Sequence, residues 1–279
     1  MDTFFIEIPG LKIACKAWGD KNLPPMLALH GWLDNANSFA PLASYLSKHF
    51  YLIAVDLPGH GLSSHLTANS HYHFVDGILN IIQLINELGY QQIHLLSHSL
   101  GACLASLVAG VIPERILSLA LIEALGPFTS PEQTCRDQLA QYAALLAVTQ
   151  KKDGKPYPSL EDAAVARTKR GHLDIREARI LCERGVEEQN GAYVWRHDRR
   201  LLSPVPLRLT ENQVLSCLQA ITAKSCLILA SNGFSVDEQI MSKRIEAVQG
   251  LQIFKLEGGH HVHMEHPDTV AQCLGKFYS

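Results

Sequence analysis

Short apolar runs that alternate with helix-length amphipathic segments most limit what this chain can fold into. The runs are 26–30 (MLALH), 51–56 (YLIAVD), 93–97 (IHLLS), 117–123 (LSLALIE), 226–230 (CLILA) and 251–256 (LQIFKL). Strands this apolar are buried on both faces, so the pattern predicts an α/β fold, a mostly parallel sheet with helices on both sides. Ile78, Ile81, Ile82, Ile85 and Leu88 recur at helical spacing, as do Leu100, Cys103, Leu104, Leu107 and Val111, and these read as crossover helices. Two earlier strands, FFIEI and LKIACKAW, are separated only by Pro9-Gly10 and are expected as an antiparallel hairpin at one edge.

The alternation stops between about 126 and 220. There the chain is richer in charge and helix formers, in RDQLAQYAALLAVTQ, LEDAAVARTKR and DIREARILCERGVEEQ, with a polar break at KKDGKPYPS. Residues 126–220 are therefore expected as a helical cap inserted before the last two strands, with 1–125 and 221–279 forming the core. A cap in that place covers the carboxyl ends of the strands, where open α/β sheets bind ligands.

Composition narrows the partners. The 279 residues, 47% hydrophobic, suffice for a sizeable core, and the net charge of -3 is spread without a basic face to follow a phosphate backbone. Nucleic acid is not expected as a partner. The N-terminus lacks a basic start and long apolar run, and the most apolar region, 99–125, is broken by PER at 113–115, so neither a signal peptide nor a spanning helix is expected. Seven scattered cysteines without a CxxC pair argue for buried free thiols in a reducing cytoplasm.

The stretch LLSHSLGA (95–102) carries the chemistry. A sharp strand-to-helix turn that lifts a serine oxygen to the top of a sheet needs small residues two before and two after that serine. Around Ser99 these are Ser97 and Gly101, whereas around Ser97 they would be Leu95 and Ser99, so Ser99 is the candidate nucleophile. Its hydroxyl needs a base, and LEGGHHVHMEHP (256–267) supplies His260 in a loop just after the last strand. The rival use of His260, His261, His263 and His266 is metal binding, but the spacing is not that of HExxH and no carboxylate or cysteine cluster joins them, so no metal and no cofactor are expected. LALHGWLDN ends a strand with His30-Gly31-Trp32, a turn able to aim the Trp32 amide at the same space as the Leu100 amide, and two such donors make an oxyanion hole. His98 is expected as a packing or gating residue.

The acid that orients the histidine has two candidates. Glu123 ends LSLALIE, one strand after the turn, and is the better placed. Asp237 comes late after CLILASNGFSV, and Ser235 and Glu238 have capping-box spacing that makes it a helix first-turn residue. The alternative for Glu123 is a strand-end carboxylate paired with a cap arginine such as Arg136.

Taken together, LHGWLDNANSF, DLPGHGLSS, SHSLGA, LIEALGP and GGHHVHMEHP resemble the α/β-hydrolase fold superfamily, and HGWLDNANSF with WRHDRRLLSPVPLRLT resembles its serine hydrolase-like group. The resemblance covers nearly the whole chain and implies Ser99 as nucleophile, His260 as base, and the Trp32 and Leu100 amides as oxyanion hole. Many relatives place the acid in a G-x-x-D turn after the penultimate strand. Here that turn reads SNGF, with Phe234 in the aspartate's place. LALIEALGP instead resembles some haloalkane dehalogenases, whose acid is a glutamate at this strand end; their aspartate nucleophile is replaced by Ser99.

The expected activity is cleavage of a small or medium apolar ester through an acyl-enzyme, by a monomer or homodimer. His30, His98, Phe128 and Trp195 are the expected substrate contacts, with Tyr193 and Leu139 as further lining. Rival expectations are thioester or C–C bond hydrolysis on the same residues, or a non-catalytic ligand-binding protein on the same fold.

Overall fold

The edge hairpin forms where Pro9-Gly10 interrupts the first apolar run. In the computed structural model, which describes residues 2–147, 156–169, 173–234 and 236–279, β1 (Asp2–Ile8) and β2 (Leu11–Trp18) pair antiparallel. The chain continues through β3 (Pro25–Leu29), α1 (Ala40–Leu46), β4 (Tyr51–Val55), α2 (Phe74–Glu87), β5 (Ile93–His98), α3 (Leu100–Val111) and β6 (Ile116–Ile122). It ends with β9 (Lys224–Asn232), α8 (Glu238–Ala247), β10 (Gln252–Gly259), α9 (Val262–Glu265) and α10 (Pro267–Tyr278). The sheet order is β1-β2-β4-β3-β5-β6-β9-β10, and every pairing from β4 to β10 is parallel.

Both faces of the sheet are covered, as the continuous apolar runs require. On one face α2 and α3 bury Ile81, Ile85, Leu104 and Val108 against Leu27, Leu95 and Leu119. On the other, α1 and α10 bury Leu42, Leu274 and Phe277 against Met26, Leu52 and Leu96, with Phe39 beside them. Six of the seven cysteines are at least half-buried, all are free thiols, and Cys135 departs from the expected pattern by lying exposed.

Between β6 and β9 the chain leaves the sheet and forms α4 (Cys135–Ala147), α5 (Leu160–Thr168), α6 (Ile175–Gly185), β7 (Val186–Gln189), β8 (Ala192–Trp195) and α7 (Glu211–Gln219). The expected helical insertion thus contains a β-hairpin. DIREARILCERGVEEQ is helical only to Gly185, because Asn190 and Gly191 both take positive φ and turn VEEQ back onto AYVW. Helix α7 falls inside 126–220, yet its Val214 and Leu218 are buried in the same apolar cluster as α3. Of the polar break KKDGKPYPS, only Pro156–Ser159 lies within the described residues. No helix among the described residues is long and apolar enough to cross a membrane.

Candidate active site

The sheet ladder itself places two of the three chemically prominent side chains. Past the end of β5, the Ser99 amide donates to the Ile122 carbonyl at 2.9 Å; past the end of β6, the Glu123 amide donates to the Ile228 carbonyl at 2.9 Å. Each residue then turns sharply. Ser99 sits at φ 50° and ψ -114°, and Glu123 at φ 64°, left-handed conformations that cost a non-glycine residue about 1–3 kcal/mol. The turn at Ser99 brings α3 against β3 so closely that a Cβ on Gly101 would come within 2.1 Å of the Leu29 carbonyl oxygen. The requirement for a small residue after the serine is therefore a backbone clash. Ser97 meets the matching requirement before it, but its buried hydroxyl has no hydrogen-bond partner among the described residues.

His260 arrives from the loop after β10. Its Nε2 lies 2.9 Å from Ser99 Oγ and its Nδ1 lies 3.1 Å from Glu123 Oε2. Glu123 also accepts from the amides of Ala230 at 2.5 Å and Phe234 at 3.1 Å. The SNGF turn thus contributes one backbone donor, the Phe234 amide, where the usual aspartate is missing. Gly233 makes room for that carboxylate, since a Cβ there would meet Oε2 at 1.9 Å. Burial pushes the His260 imidazole below its ordinary pKa, while the hydrogen bond to Glu123 opposes that shift. The other acid candidate, Asp237, is exposed and accepts from the amides of Gln239 and Ile240 at 2.9 and 3.1 Å as the N-cap of α8. It takes the capping role expected of Ser235, which lies outside the described residues. Arg136 pairs with Asp137 and does not engage Glu123.

The Leu100 amide opens α3, and neither it nor the Trp32 amide carries a hydrogen bond among the described residues. Both residues line a cavity of about 150 Å³ whose wall includes Phe74, Leu104, Tyr142 and Leu201. The expected substrate contacts fall elsewhere. His30 is fully buried, accepting from the Leu57 amide at Nε2 and donating from Nδ1 to the Gly31 carbonyl. His98 is likewise fully buried and donates from Nε2 to the His260 carbonyl at 2.8 Å. Trp195 and Tyr193 pack within the excursion itself, around Ala163, Ala178 and Cys182. Phe128 is exposed and meets Phe234, whose ring lies 5.1 Å from that of His260. Leu139 is exposed on α4.

A second polar group lies behind the first. Asp34 Oδ2, His98 Nδ1 and His261 Nε2 fall within 4.8 Å of one another, all buried, the spacing of a possible metal trio. The carboxylate is already engaged by protein donors, with Arg167 Nη2 at 2.8 Å from Oδ1 and His261 Nε2 at 3.1 Å from Oδ2. Burial opposes ionisation of Asp34, but His261, His98 and Arg167 outweigh it and hold its carboxyl well below the usual range. Nothing in the sequence singled out Asp34, because none of its partners lies near it in the chain.

The α/β-hydrolase fold family matches residues 24–153. A serine hydrolase-like protein of Dictyostelium discoideum is 32% identical over 96% of this chain and 79% of its own length. A crystal structure of a hypothetical protein from Pseudomonas aeruginosa PAO1 superposes with a TM-score of 0.92 at 34% identity, covering 100% of this chain and 99% of the other. The thioesterase domain from the curacin biosynthetic pathway gives a TM-score of 0.84 at 25% identity, with 98% of each chain covered. With this sheet order and these full-length likenesses, the chain belongs to the α/β-hydrolase superfamily and, within it, to the serine hydrolase-like group.

Proposed function

We propose that the chain is a serine hydrolase that cleaves a small or medium ester-type substrate through an acyl-enzyme. The observation that carries this reading is the continuous contact from Ser99 Oγ to His260 Nε2 at 2.9 Å and from His260 Nδ1 to Glu123 at 3.1 Å. Glu123 keeps the imidazole proton on Nδ1, which leaves Nε2 free to take the Ser99 proton as Oγ attacks the substrate carbonyl. The developing oxyanion falls to the Trp32 and Leu100 amides, the latter at the N-terminus of α3, where the helix dipole favours negative charge. The imidazolium then protonates the leaving alcohol as the C–O bond breaks. In the second half, His260 deprotonates a water that attacks the acyl-enzyme, and collapse of that intermediate returns the proton to Ser99 and releases the acid.

The cavity beside Leu100 suits an apolar group. Its volume of about 150 Å³ matches an engineered apolar cavity that holds benzene, so an acyl or alcohol group of about six carbons fits. Residues 126–210 act as the cap, with α7 assigned to the core because of its packing against α3. A second reading, thioester hydrolysis by the same residues, is favoured by the full-length likeness to a thioesterase domain.

The test is intact-mass analysis after incubation with a fluorophosphonate, beside a Ser99→Ala control of equal melting temperature. One adduct on the wild type and none on the variant is the expected result; no adduct on folded wild type refutes the reading. Hexanoyl p-nitrophenyl ester against hexanoyl N-acetylcysteamine thioester, compared by kcat/KM, separates the two substrate classes.

A further inference from the structure

We propose that Asp34 is a positioning residue that holds the Trp32 turn, the Ser99 turn and the His260 loop in register, and that Arg167 of α5 makes seating of the cap part of that arrangement. This inference rests on the serine hydrolase reading. Asp34 lies two residues after Trp32, in a turn closed by its own amide donating to the Gly31 carbonyl at 3.2 Å. Leu33 within that turn takes φ 59°, a conformation that persists only where surrounding contacts enforce it. The Asp34 carboxylate supplies those contacts. It accepts from His261, the residue after His260, and lies 3.7 Å from Nδ1 of His98, the residue before Ser99. The other ring nitrogen of His98 donates to the His260 carbonyl at 2.8 Å, so the residue before the nucleophile is bonded to the backbone of the base, while the Asp34 carboxylate beside it holds the residue after the base.

The remaining oxygen of Asp34 accepts from Arg167, whose side chain is 9% exposed, while that of Asp34 is 0% exposed. A buried ion pair gives little net stability, since desolvation of both charges offsets their attraction. Its placement therefore calls for another explanation. Asp34, His98 and His261 are only 2%, 0% and 3% exposed, which argues against substrate contact. What the four side chains share is attachment to the segments that carry the Trp32 amide, Ser99, His260 and the cap.

Misplacement of reacting groups by about 1 Å costs on the order of 100-fold in rate. Asp34→Asn and the double variant Asp34→Asn/Arg167→Met are expected to lose about 100-fold in kcat for a p-nitrophenyl ester, and as much in fluorophosphonate labelling rate, with KM within about threefold. Arg179→Met, which removes the exposed pair with Glu161 between α5 and α6, serves as the control and is expected to keep the wild-type rate. The double variant leaves no buried charge unpaired, so it decides the matter where the single variant melts early. Labelling of either folded Asp34 variant at the wild-type rate overturns the proposal. Failure of wild-type protein to label overturns the hydrolase reading instead, which keeps the two failures apart.

Discussion

Replacing Glu123 by glutamine removes one charge without changing shape, and its consequence follows from the partners of the two oxygens. Oε1 accepts from the Ala230 amide, while Oε2 accepts from the Phe234 amide and His260 Nδ1, so every partner is a donor. A glutamine offers one acceptor and one donor, and its NH2 must face a donor whichever way it turns. With the NH2 towards His260, the imidazole proton moves to Nε2 and the base can no longer take the Ser99 proton. With the NH2 towards Ala230, tautomer and orientation survive, but the charge that stabilises the imidazolium is lost. Loss of a charge-assisted hydrogen bond is worth about 1.5–3 kcal/mol, and the competing tautomer adds to this. Together they predict a fall in kcat of about 1000-fold, or about 4 kcal/mol, with KM nearly unchanged. Steady-state hydrolysis of p-nitrophenyl butyrate reads this directly, with Asp237→Asn measured in parallel. Asp237 caps α8 and is exposed, so its replacement is expected to cost about 1 kcal/mol of stability or less and no activity. A Glu123→Gln protein that keeps kcat within threefold, or an Asp237→Asn protein that loses it, refutes the assignment of the acid.

Three further outcomes are expected. Because burial depresses the pKa of His260, the acid limb of kcat/KM inflects below the ordinary imidazole value of about 6.5. Glu123 raises that pKa, so Glu123→Gln moves the inflection lower still; an upward movement contradicts the geometry. Ser97→Ala removes a buried hydroxyl that has no partner among the described residues and is expected to raise Tm by about 2 °C, whereas a loss of several degrees in calorimetry means that the hydroxyl has a partner. Arg184 holds the fully buried Asp56 through Nε at 2.9 Å, tying α6 to the end of β4. Arg184→Met is therefore expected to cost about 3–5 kcal/mol in denaturant unfolding, and a loss below about 1 kcal/mol refutes the role of that pair.

Local patterning made much of this molecule legible in advance. Continuous apolar runs and period-3.6 apolar spacing record which surfaces of each segment are buried, and Pro9-Gly10 marks a turn, so the strands, the crossover helices and the edge hairpin were readable from residues a few positions apart. One local signal was overridden: Asn190-Gly191 marks a hairpin, but the helix formers around it concealed VEEQ and AYVW as strands. What tertiary structure alone decided involves residues far apart in the chain. Glu123 meets His260 across 137 positions because β9 alone separates β6 from β10 in the sheet and the SNGF turn adds the Phe234 amide to the carboxylate. His30 and His98 turn inward, and the cavity wall comes from α2, α3, α4 and the Leu201 segment, because strand order and the packing of the segment between β6 and β9 set which surfaces face each other. Sequence spacing encodes burial along one element at a time; the distance between two elements is fixed only when the whole sheet has closed around its core.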